Sequence, residues 1–214
     1  MRTYLSTIGF NSTSVTRPLL SHGIDPGDEV VLIRPTKESP PQAKEAIGDV
    51  ERLLQEIEPD VNLTIEQITH DDFSTAVLEC SDLIQVANGD RIVSLGGGAR
   101  DVLLPFAIAA TTHARLLSTV FFFSDLDGGV REWSLPRLTA RIQETTISTL
   151  QAIADVEEGI SIPDLTDRTG CSKSTVTRHV TALADEKAIE TWTEGKTKFA
   201  RATITGHLLL RDRA

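Results

Sequence analysis

The sequence predicts a fold in two parts: an α/β, Rossmann-like, doubly wound and mostly parallel sheet over residues 1–136, and a winged helix-turn-helix over residues 137–214. Three observations lead to this prediction. Strand-length apolar runs alternate with helical segments as far as Pro136, which is typical of a parallel sheet with right-handed crossovers. Beyond Pro136 the pattern changes to short helices. Two short strands around a glycine-containing loop then indicate a β-hairpin.

The first part contains five strand-length segments and one expected edge strand. The second of them, EVVLI, is apolar throughout, as expected for a strand that is covered on both faces. The predicted strands are Thr3–Ile8, Glu29–Ile33, Val61–Ile68, Arg91–Leu95, Arg115–Ser124 and, as an antiparallel edge, Val130–Leu135. For a doubly wound sheet we expect the order 3-2-1-4, which makes strands 1 and 4 neighbours.

Helical segments lie between these strands. In the longest one, apolar residues recur at three- and four-residue steps and so form one apolar face. The predicted helices are Asn11–Ser21, Pro40–Glu58, Asp72–Val86 and Arg100–His113. Asn11 or Ser12 is the expected N-cap of the first helix.

The second part begins with three predicted helices, Leu138–Val156, Ser161–Thr169 and Ser172–Lys187. Gly170 is expected to end the middle helix, and Ser172 to cap the third. Thr191–Thr193 and Phe199–Ile204 are the expected strands of the hairpin. A helix, a short turn, a second helix and a hairpin in this order are typical of a winged helix-turn-helix.

The formal net charge of −10 is unusual for a protein that binds nucleic acid, but the charge is unevenly distributed. Through Pro136, ten Lys and Arg residues stand against twenty Asp and Glu residues, whereas from Arg137 onward there are eleven of each. All the excess acid therefore belongs to the first part. With six Lys against fifteen Arg, this acidic composition favours a salt-loving source organism, in which surface charge keeps the protein hydrated.

The composition also excludes several classes. There is no apolar run of about eighteen residues, so we expect no membrane span. The N-terminal MRTYLSTIGF lacks the features of a signal peptide, so we expect a cytoplasmic protein. Cys80 and Cys171 stand far apart and are expected to be reduced. The histidines show no metal-ligand spacing, and we expect neither a metal nor a cofactor.

The predicted third helix of the second part has the pattern of a DNA-recognition helix. Val176, Val180 and Leu183 recur on one face, which leaves the outer N-terminal face to cationic and hydroxyl side chains. The expected DNA-binding residues of helix and wing are Lys173, Ser174, Thr175, Thr177, Arg178, Lys196, Lys198 and Arg201. Double-stranded DNA is the expected partner. The alternative is a winged helix used for protein contacts, with these charges merely solvated.

Two loops follow strands 1 and 4 and should meet where the topology of the sheet switches. Glycines let a backbone approach a ligand, and the helix that begins at Arg100 presents free N–H groups to an anion. The expected ligand-binding residues are Gly9, Phe10, Asn11, Ser12, Thr13, Ser94, Gly96, Gly97, Gly98, Ala99 and Arg100. A phosphate-rich ligand is the natural prediction. The glycine-rich loop matches neither the dinucleotide fingerprint nor the P-loop, and a purely structural turn is the alternative.

The segment YLSTIGFN, the strand–GGGAR–helix unit and the winged helix together resemble the CRISPR-associated transcriptional regulators with a CARF domain, archaeal ones in particular. The resemblance covers nearly the whole chain and includes the domain order. It implies a CARF domain that forms a homodimer and binds a cyclic oligoadenylate, commonly cyclic tetra-adenylate, across its two-fold axis. This ligand would be regulatory and not a cofactor.

The resemblance also assigns individual residues. Gly9, Phe10 and Asn11 match the first motif of the family, a loop after strand 1. Arg100 takes the basic position of the second motif, whereas Ser94 stands where Asp is usual and Gly96 where Thr or Ser is usual. With these departures the pocket could prefer a different cyclic nucleotide.

The resulting expectation is a homodimeric regulator, not an enzyme, that senses a cyclic oligoadenylate and controls CRISPR-related genes. One alternative is a ring nuclease that degrades the cyclic oligoadenylate, in which Ser12, Thr13 and Arg100 could take part. The other is a winged-helix regulator of genes unrelated to CRISPR that responds to a different ligand.

Overall fold

The structure, a computed structural model, describes residues 1–36 and 40–212. Contacts divide the chain into two units, Met1–Ser134 and Leu135–Ala214, and the division lies next to Pro136. The last two residues of the predicted second part lie outside the described residues. In the described ranges, no helix is both long and apolar enough to cross a membrane.

The first unit is built on one six-stranded sheet. Its strands are β1 (Arg2–Thr7), β2 (Glu29–Pro35), β3 (Asn62–Ile68), β4 (Asp90–Leu95), β5 (Leu117–Phe123) and β6 (Val130–Glu132). Their order in the sheet is β3-β2-β1-β4-β5-β6. Strands β1 to β5 run parallel, and β6 pairs antiparallel with β5. The predicted Rossmann-like fold, with strands 1 and 4 as neighbours and an antiparallel edge, is confirmed, but the edge strand ends at Glu132 and not at Leu135.

Four helices connect the parallel strands: α1 (Thr13–His22), α2 (Pro41–Ile57), α3 (Phe73–Val86) and α4 (Arg100–Thr112). The α2 helix buries Ala46, Val50 and Leu54, which stand four residues apart, in one cluster with residues of β2. This four-residue spacing places them on a single face. The predicted helices therefore match the structure to within one or two residues at each end.

A buried ion pair ties the start of β1 to the turn before β2. Asp28 is almost completely buried, and its carboxylate accepts hydrogen bonds from the backbone N–H and Nε of Arg2 at 2.7 and 2.8 Å. Burial alone would raise the pKa of this carboxyl, but the bonds from Arg2 and from the Asp25 N–H hold it below its usual value. The N-terminal end of β1 is therefore held in place by charge-assisted hydrogen bonds.

The second unit is a winged helix-turn-helix, as predicted. Its elements are α5 (Ile147–Ala154), β7 (Ile160–Ser161), α6 (Ile162–Thr169), α7 (Lys173–Asp185), β8 (Ile189–Glu194), β9 (Thr197–Ala202) and α8 (Ile204–Arg211). The three strands form an antiparallel sheet in the order β7-β9-β8. Val176, Val180 and Leu183 are buried in its core, as their spacing predicted.

The helix ends of the second unit also follow the sequence. The Ser161 side chain accepts from the N–H of Asp164, and the Ser172 side chain accepts from the N–H of Thr175. Gly170 ends α6 with a φ of +66°, a left-handed conformation in which glycine avoids the steric penalty of a Cβ atom. These caps set the turn between α6 and α7.

The helix predicted over Leu138–Val156 was wrong in its first half. The α5 helix covers only Ile147–Ala154 and follows a short 3-10 turn at Glu144–Thr146. In the preceding segment, the backbone N–H of Arg137 donates to Thr205 Oγ1, and that of Arg141 donates to Glu186 Oε2. Because distant side chains satisfy these N–H groups, the segment does not need helical hydrogen bonds.

Three further differences concern the C-terminal region. The last predicted strand extended to Ile204, but β9 ends at Ala202 and Thr203 caps the unpredicted helix α8. The hairpin strands run up to a two-residue turn at Gly195 and Lys196, so the predicted loop was too long. The α7 helix ends at Asp185, two residues earlier than predicted.

His179 lies in α7 but is buried, with its Nδ1 atom 2.8 Å from Thr149 Oγ1 on α5. Desolvation lowers its pKa, and the neighbouring charge of Arg178 adds to this effect. The unfolded chain therefore binds a proton at a higher pH than the folded chain does. The free energy of unfolding should then decrease as the pH falls below about 6.5, the ordinary pKa of histidine.

We predict that His179→Asn flattens this pH dependence, because Asn can keep the bond to Thr149 but does not titrate. The measurement is calorimetric melting of both proteins between pH 7.5 and 5.5. The wild-type melting temperature should fall more steeply with decreasing pH than that of the variant. Parallel curves would show that His179 does not contribute.

Candidate functional site

The loops after β1 and β4 meet at one edge of the first sheet. In the β1–β4 pairing Ser6 lies opposite Ser94, so both strands end at the same level. Thr7 Oγ1 donates a hydrogen bond to the carbonyl of Gly97. A Cβ atom on Gly9 would lie only 3.0 Å from the Gly98 backbone. The two loops are therefore packed directly against each other at the switch point.

Glycine is required in the second loop for two separate reasons. A Cβ atom on Gly96 would lie 2.3 Å from Phe123 Cβ, and one on Gly97 would lie 2.3 Å from Ser14 Oγ. Gly98 adopts a φ of +94°, which L side chains rarely adopt. The glycine-rich loop is thus a tight structural turn, and this does not conflict with its interpretation as a candidate ligand-binding loop.

A cleft of about 450 Å³ opens beside these loops, in the range of small-molecule sites. Its walls come from the loop after β1, the glycine loop with the start of α4, and the ends of β5 and β6. The lining residues are Gly9, Phe10, Asn11, Ser14, Leu95, Gly96, Gly97, Gly98, Arg100, Leu103, Leu104, Ala107, Phe122, Phe123, Asp125 and Trp133.

Two features of the cleft suit an anion. The α4 helix starts after Ala99 and no side chain caps it, so the N–H groups of Arg100 and Asp101 are free to meet a ligand, whereas that of Val102 donates to the Ala99 carbonyl. Arg100 is exposed at this terminus, and no described carboxylate lies within salt-bridge distance of it. Phe10 is 72% exposed at the cleft, where its ring is available for stacking.

Seven of the eleven predicted ligand-binding residues line this cleft: Gly9, Phe10, Asn11, Gly96, Gly97, Gly98 and Arg100. Ser94 does not, because it is buried within β4, where its hydroxyl donates to the Ser14 carbonyl. Ser12 lies on another side of the loop, with its hydroxyl 3.5 Å from Asp49 on α2.

Two further predicted residues also lie outside this cleft. The backbone N–H of Thr13 donates to the side chain of Asn11 at 2.8 Å, so Asn11 both lines the cleft and stabilises the turn before α1. Ala99 lines a second pocket of about 300 Å³, which has Ile8 and Arg34 among its walls and shares Gly9, Phe10 and Gly98 with the cleft.

The α4 and β5–β6 walls of the cleft were not predicted from the sequence. Helical periodicity could have identified the α4 wall, because its residues stand three, four and seven positions after Arg100. They are Leu103, Leu104 and Ala107. Phe122 and Trp133 stack with their ring centroids 4.1 Å apart and their planes at 8°. This contact depends on the pairing of β6 with β5, whose register was not predicted from the sequence.

The N-terminal face of α7 presents the predicted recognition residues. Lys173, Ser174, Thr177 and Arg178 are exposed, and Thr175 is half-buried. The hydroxyls of Ser174 and Thr175 each lie 2.9 Å from Ser172 Oγ, and Thr177 Oγ1 donates to the Lys173 carbonyl. The hydroxyls thus serve the helix itself, which leaves the two cations as the groups available to a partner.

The β8–β9 hairpin forms a wing with Lys196 and Lys198 exposed near its tip. Arg201 differs from these lysines, because its guanidinium pairs with Glu190 at 2.5 Å and lies 5.8 Å from the Trp192 ring centroid. Among the described residues, no carboxylate pairs in this way with either lysine. The available positive charge of the wing is therefore at its tip.

Neither surface resembles a metal centre. In the part of the chain that the structure describes, no three His, Cys, Asp or Glu side chains are placed to hold a metal ion. Both cysteines are free, and burial raises the pKa of Cys80 to about 12, so this thiol is unreactive.

Solved structures of low similarity include two regulators. PcaV from Streptomyces coelicolor, solved with its natural ligand, has 20% identity and a TM-score of 0.31 over 33% of this chain, and the chain spans only 51% of PcaV. BpsR from Bordetella bronchiseptica, whose DNA binding is regulated by 6-hydroxynicotinic acid, has 17% identity and a TM-score of 0.31 over 35% of this chain and 54% of its own.

Can2 from Sulfobacillus thermosulfidooxidans, solved in complex with cyclic tetra-adenylate, has 10% identity and a TM-score of 0.43 over 92% of this chain and 73% of its own. A comparison with curated proteins found no match. A family model, in contrast, matches residues 2–133 and describes a Csa3 CRISPR-associated Rossmann-like domain. This range covers more than half of the chain and contains the whole six-stranded sheet. The protein therefore belongs to the family of the Csa3 CRISPR-associated Rossmann-like, or CARF, domain.

Proposed function

We propose that this protein is a ligand-responsive transcriptional regulator, in which the first unit senses a cyclic oligoadenylate and the second unit binds double-stranded DNA. One observation carries the proposal: a cleft lined by Arg100 and the start of α4 lies at the switch point of a CRISPR-associated domain, on the same chain as a winged helix with exposed cations. CRISPR-related genes are the proposed targets. In this proposal, residues 1–136 form the sensing and dimerisation domain, and residues 137–214 form the DNA-binding domain.

Cyclic tetra-adenylate is the proposed ligand, because the cleft combines donors for phosphate with an aromatic ring for a base. Free N–H groups at the start of α4 and the Arg100 guanidinium suit a phosphate. The exposed ring of Phe10 suits a purine. The family to which the chain belongs is associated with CRISPR systems, which favours this nucleotide over other phosphate-containing ligands.

A homodimer is proposed on grounds of symmetry. Helix-turn-helix proteins gain specificity when two copies bind paired half-sites, and a two-fold ligand doubles each contact. Large apolar side chains stand exposed beside the cleft on α4, with Leu104 57% and Ile108 44% accessible. We propose that a second copy of the chain covers them.

We favour regulation over ring nuclease activity. Two of the three residues considered for cleavage, Ser12 and Thr13, lie outside the cleft, and only Arg100 lines it. Ser14, which does line the cleft, is buried and hydrogen bonded to the Asn11 carbonyl. Incubation with cyclic tetra-adenylate tests this alternative, since linear products would establish cleavage.

We predict that Arg100→Ala weakens the binding of cyclic tetra-adenylate without affecting folding. A hydrogen bond to a charged group is worth about 1.5–3 kcal/mol, which corresponds to about 10- to 150-fold in affinity. Calorimetric titration of the full chain measures the change. Arg115→Ala is the matched control, because this exposed arginine follows α4 at its opposite end and is absent from the cleft.

Three outcomes would contradict parts of this prediction. Absence of any binding by the wild type would exclude this ligand. Equal affinities of the Arg100 and Arg115 variants would place the binding site elsewhere. A large drop in the melting temperature of Arg100→Ala would make Arg100 a structural residue.

The wing prediction concerns salt dependence. Replacing Lys196 and Lys198 together with Ala should weaken binding to all DNA sequences alike and reduce the slope of log K against log salt by about one to two units. Arg201→Ala should have a smaller effect, because Glu190 already neutralises its guanidinium.

On the recognition helix, Arg178→Ala should reduce the free energy of binding to the cognate site by about 1–3 kcal/mol if Arg178 contacts a base edge. Fluorescence anisotropy at several salt concentrations distinguishes these effects, and unchanged binding in all variants would favour a protein partner.

The proposed dimer makes a further prediction. Leu104→Glu should convert a dimer into a monomer at micromolar concentration, because a buried unpaired charge would be placed in an apolar interface. Sedimentation of the full chain measures this, with Leu78→Glu on α3 as a control, since Leu78 is also exposed but does not line the cleft. A wild type that sediments as a monomer would rule out the proposal.

A further inference from the structure

Asp125 introduces a negative charge into a cleft that is otherwise suited to anions. It directly follows β5 and the buried Ser124, and it lines the cleft together with Arg100 and the glycine loop. Its side chain is exposed, and no described residue donates a hydrogen bond to it. None of the described cations lies within salt-bridge distance of it.

The neighbouring Asp127, in the same turn, has a carboxylate with a structural role. Its Oδ1 atom accepts a hydrogen bond from the Gly129 N–H at 2.9 Å, and its carboxylate pairs with Arg131. These contacts, the bond from Arg131 above all, lower the pKa of Asp127 to about 2. Asp127 is therefore used by the β5–β6 turn, whereas Asp125 has no such role.

An unpaired carboxylate beside a phosphate site has a definite physical effect. It repels any phosphate that approaches it, and this repulsion strengthens when a ligand displaces water from the cleft. The carboxylate becomes favourable only where it meets a donor group, because an ionised carboxylate can only accept hydrogen bonds. A nucleotide offers such donors at its ribose hydroxyl and at the exocyclic amine of adenine.

We infer that Asp125 accepts a hydrogen bond from a neutral donor of the bound nucleotide, either the ribose 2′-hydroxyl or the adenine amine, and that it thereby selects nucleotides over other phosphate-containing anions. The inference rests on the proposed function and adds a specificity-determining residue to the same cleft. Arg100 and the α4 terminus attract phosphate without regard to what carries it. Asp125 supplies both the attraction for a nucleoside and the repulsion of a simple anion, which together produce specificity.

The test compares Asp125→Ala with Asp127→Ala in the full chain, because an asparagine could still accept the bond through its amide oxygen. If the two carboxylates act only through long-range charge, both substitutions remove a repulsion and tighten the binding of cyclic tetra-adenylate. If Asp125 accepts a hydrogen bond from the ligand, Asp125→Ala instead weakens binding, by about ten-fold or more. Asp127→Ala should leave the affinity unchanged or slightly higher. Calorimetry measures both, and melting temperatures confirm that each variant is folded.

Two modified ligands identify the donor. A cyclic tetranucleotide with 2′-deoxyribose lacks the hydroxyl, and one with unsubstituted purine lacks the amine. The analogue without the relevant donor should bind the wild type about ten-fold more weakly, and Asp125→Ala should bind this analogue at least as tightly as the wild type does, because only the repulsion by Asp125 remains. Inorganic triphosphate should bind Asp125→Ala more tightly than it binds the wild type, for the same reason.

The controls separate this inference from the proposed function. If the wild type does not bind cyclic tetra-adenylate, the proposed ligand is wrong. If it binds and Asp125→Ala binds equally well or more tightly, the inference alone is overturned. Each titration is run with and without EDTA, and an Asp125 effect that disappears with EDTA would also overturn the inference, because the carboxylate would then hold a cation. A weakening that persists in EDTA and depends on one donor supports it.

Discussion

The parallel pairing of β1 with β4 is the constraint on which the first unit depends. Because these neighbouring strands run in the same direction and end at the same level, the loops that follow them emerge together. The two loops are in close contact, and a Cβ atom on Gly9 would lie only 3.0 Å from Gly98. There is therefore no room for a side chain at Gly9. The same constraint places the start of α4 and Arg100 at the opening between the loops. A cleft at this edge of the sheet is thus a consequence of the topology, and the side chains around it determine which ligand fits.

Local patterns were sufficient to predict the fold of the first unit. Periodic apolar positions located α2, and the strand-length runs located the parallel strands to within one or two residues. Where prediction failed, distant groups determined the structure. In the segment before α5, Thr205 and Glu186, far along the chain, accept hydrogen bonds from the backbone N–H groups of Arg137 and Arg141, and residues 138–143 are not helical. The α8 helix was missed although Thr203 is a recognisable N-cap, since the preceding strand was extended past it.

In the candidate site, too, the residues that depend on local patterns were predictable, whereas those that depend on distant contacts were not. The glycines and Arg100 could be identified from the sequence because they follow strands whose order was predictable. Ser94 was assigned to the site from a position in a motif, but the alternation of a strand turns its side chain into the interior, where it meets the Ser14 carbonyl. Phe122, Asp125 and Trp133 could not be identified, because their place in the cleft depends on how β5 pairs with β4 and on how the edge strand β6 pairs with β5. Long-range pairing is the information that a single sequence carries least clearly.

The chain contains two tryptophans, and the fold assigns one to each unit. Trp133 lines the cleft and stacks on Phe122, whereas Trp192 lies in the wing, stacked on Phe199 and hydrogen bonded to Glu194. Indole emission depends on the polarity and the quenching groups around the ring. The protein thus has a built-in fluorophore at each of its two candidate surfaces, with no need for a chemical label. Replacing either indole with phenylalanine would make the remaining emission a reporter of events in one unit alone. Communication between the units could then be followed optically, as a signal from the wing that responds when the cleft is filled.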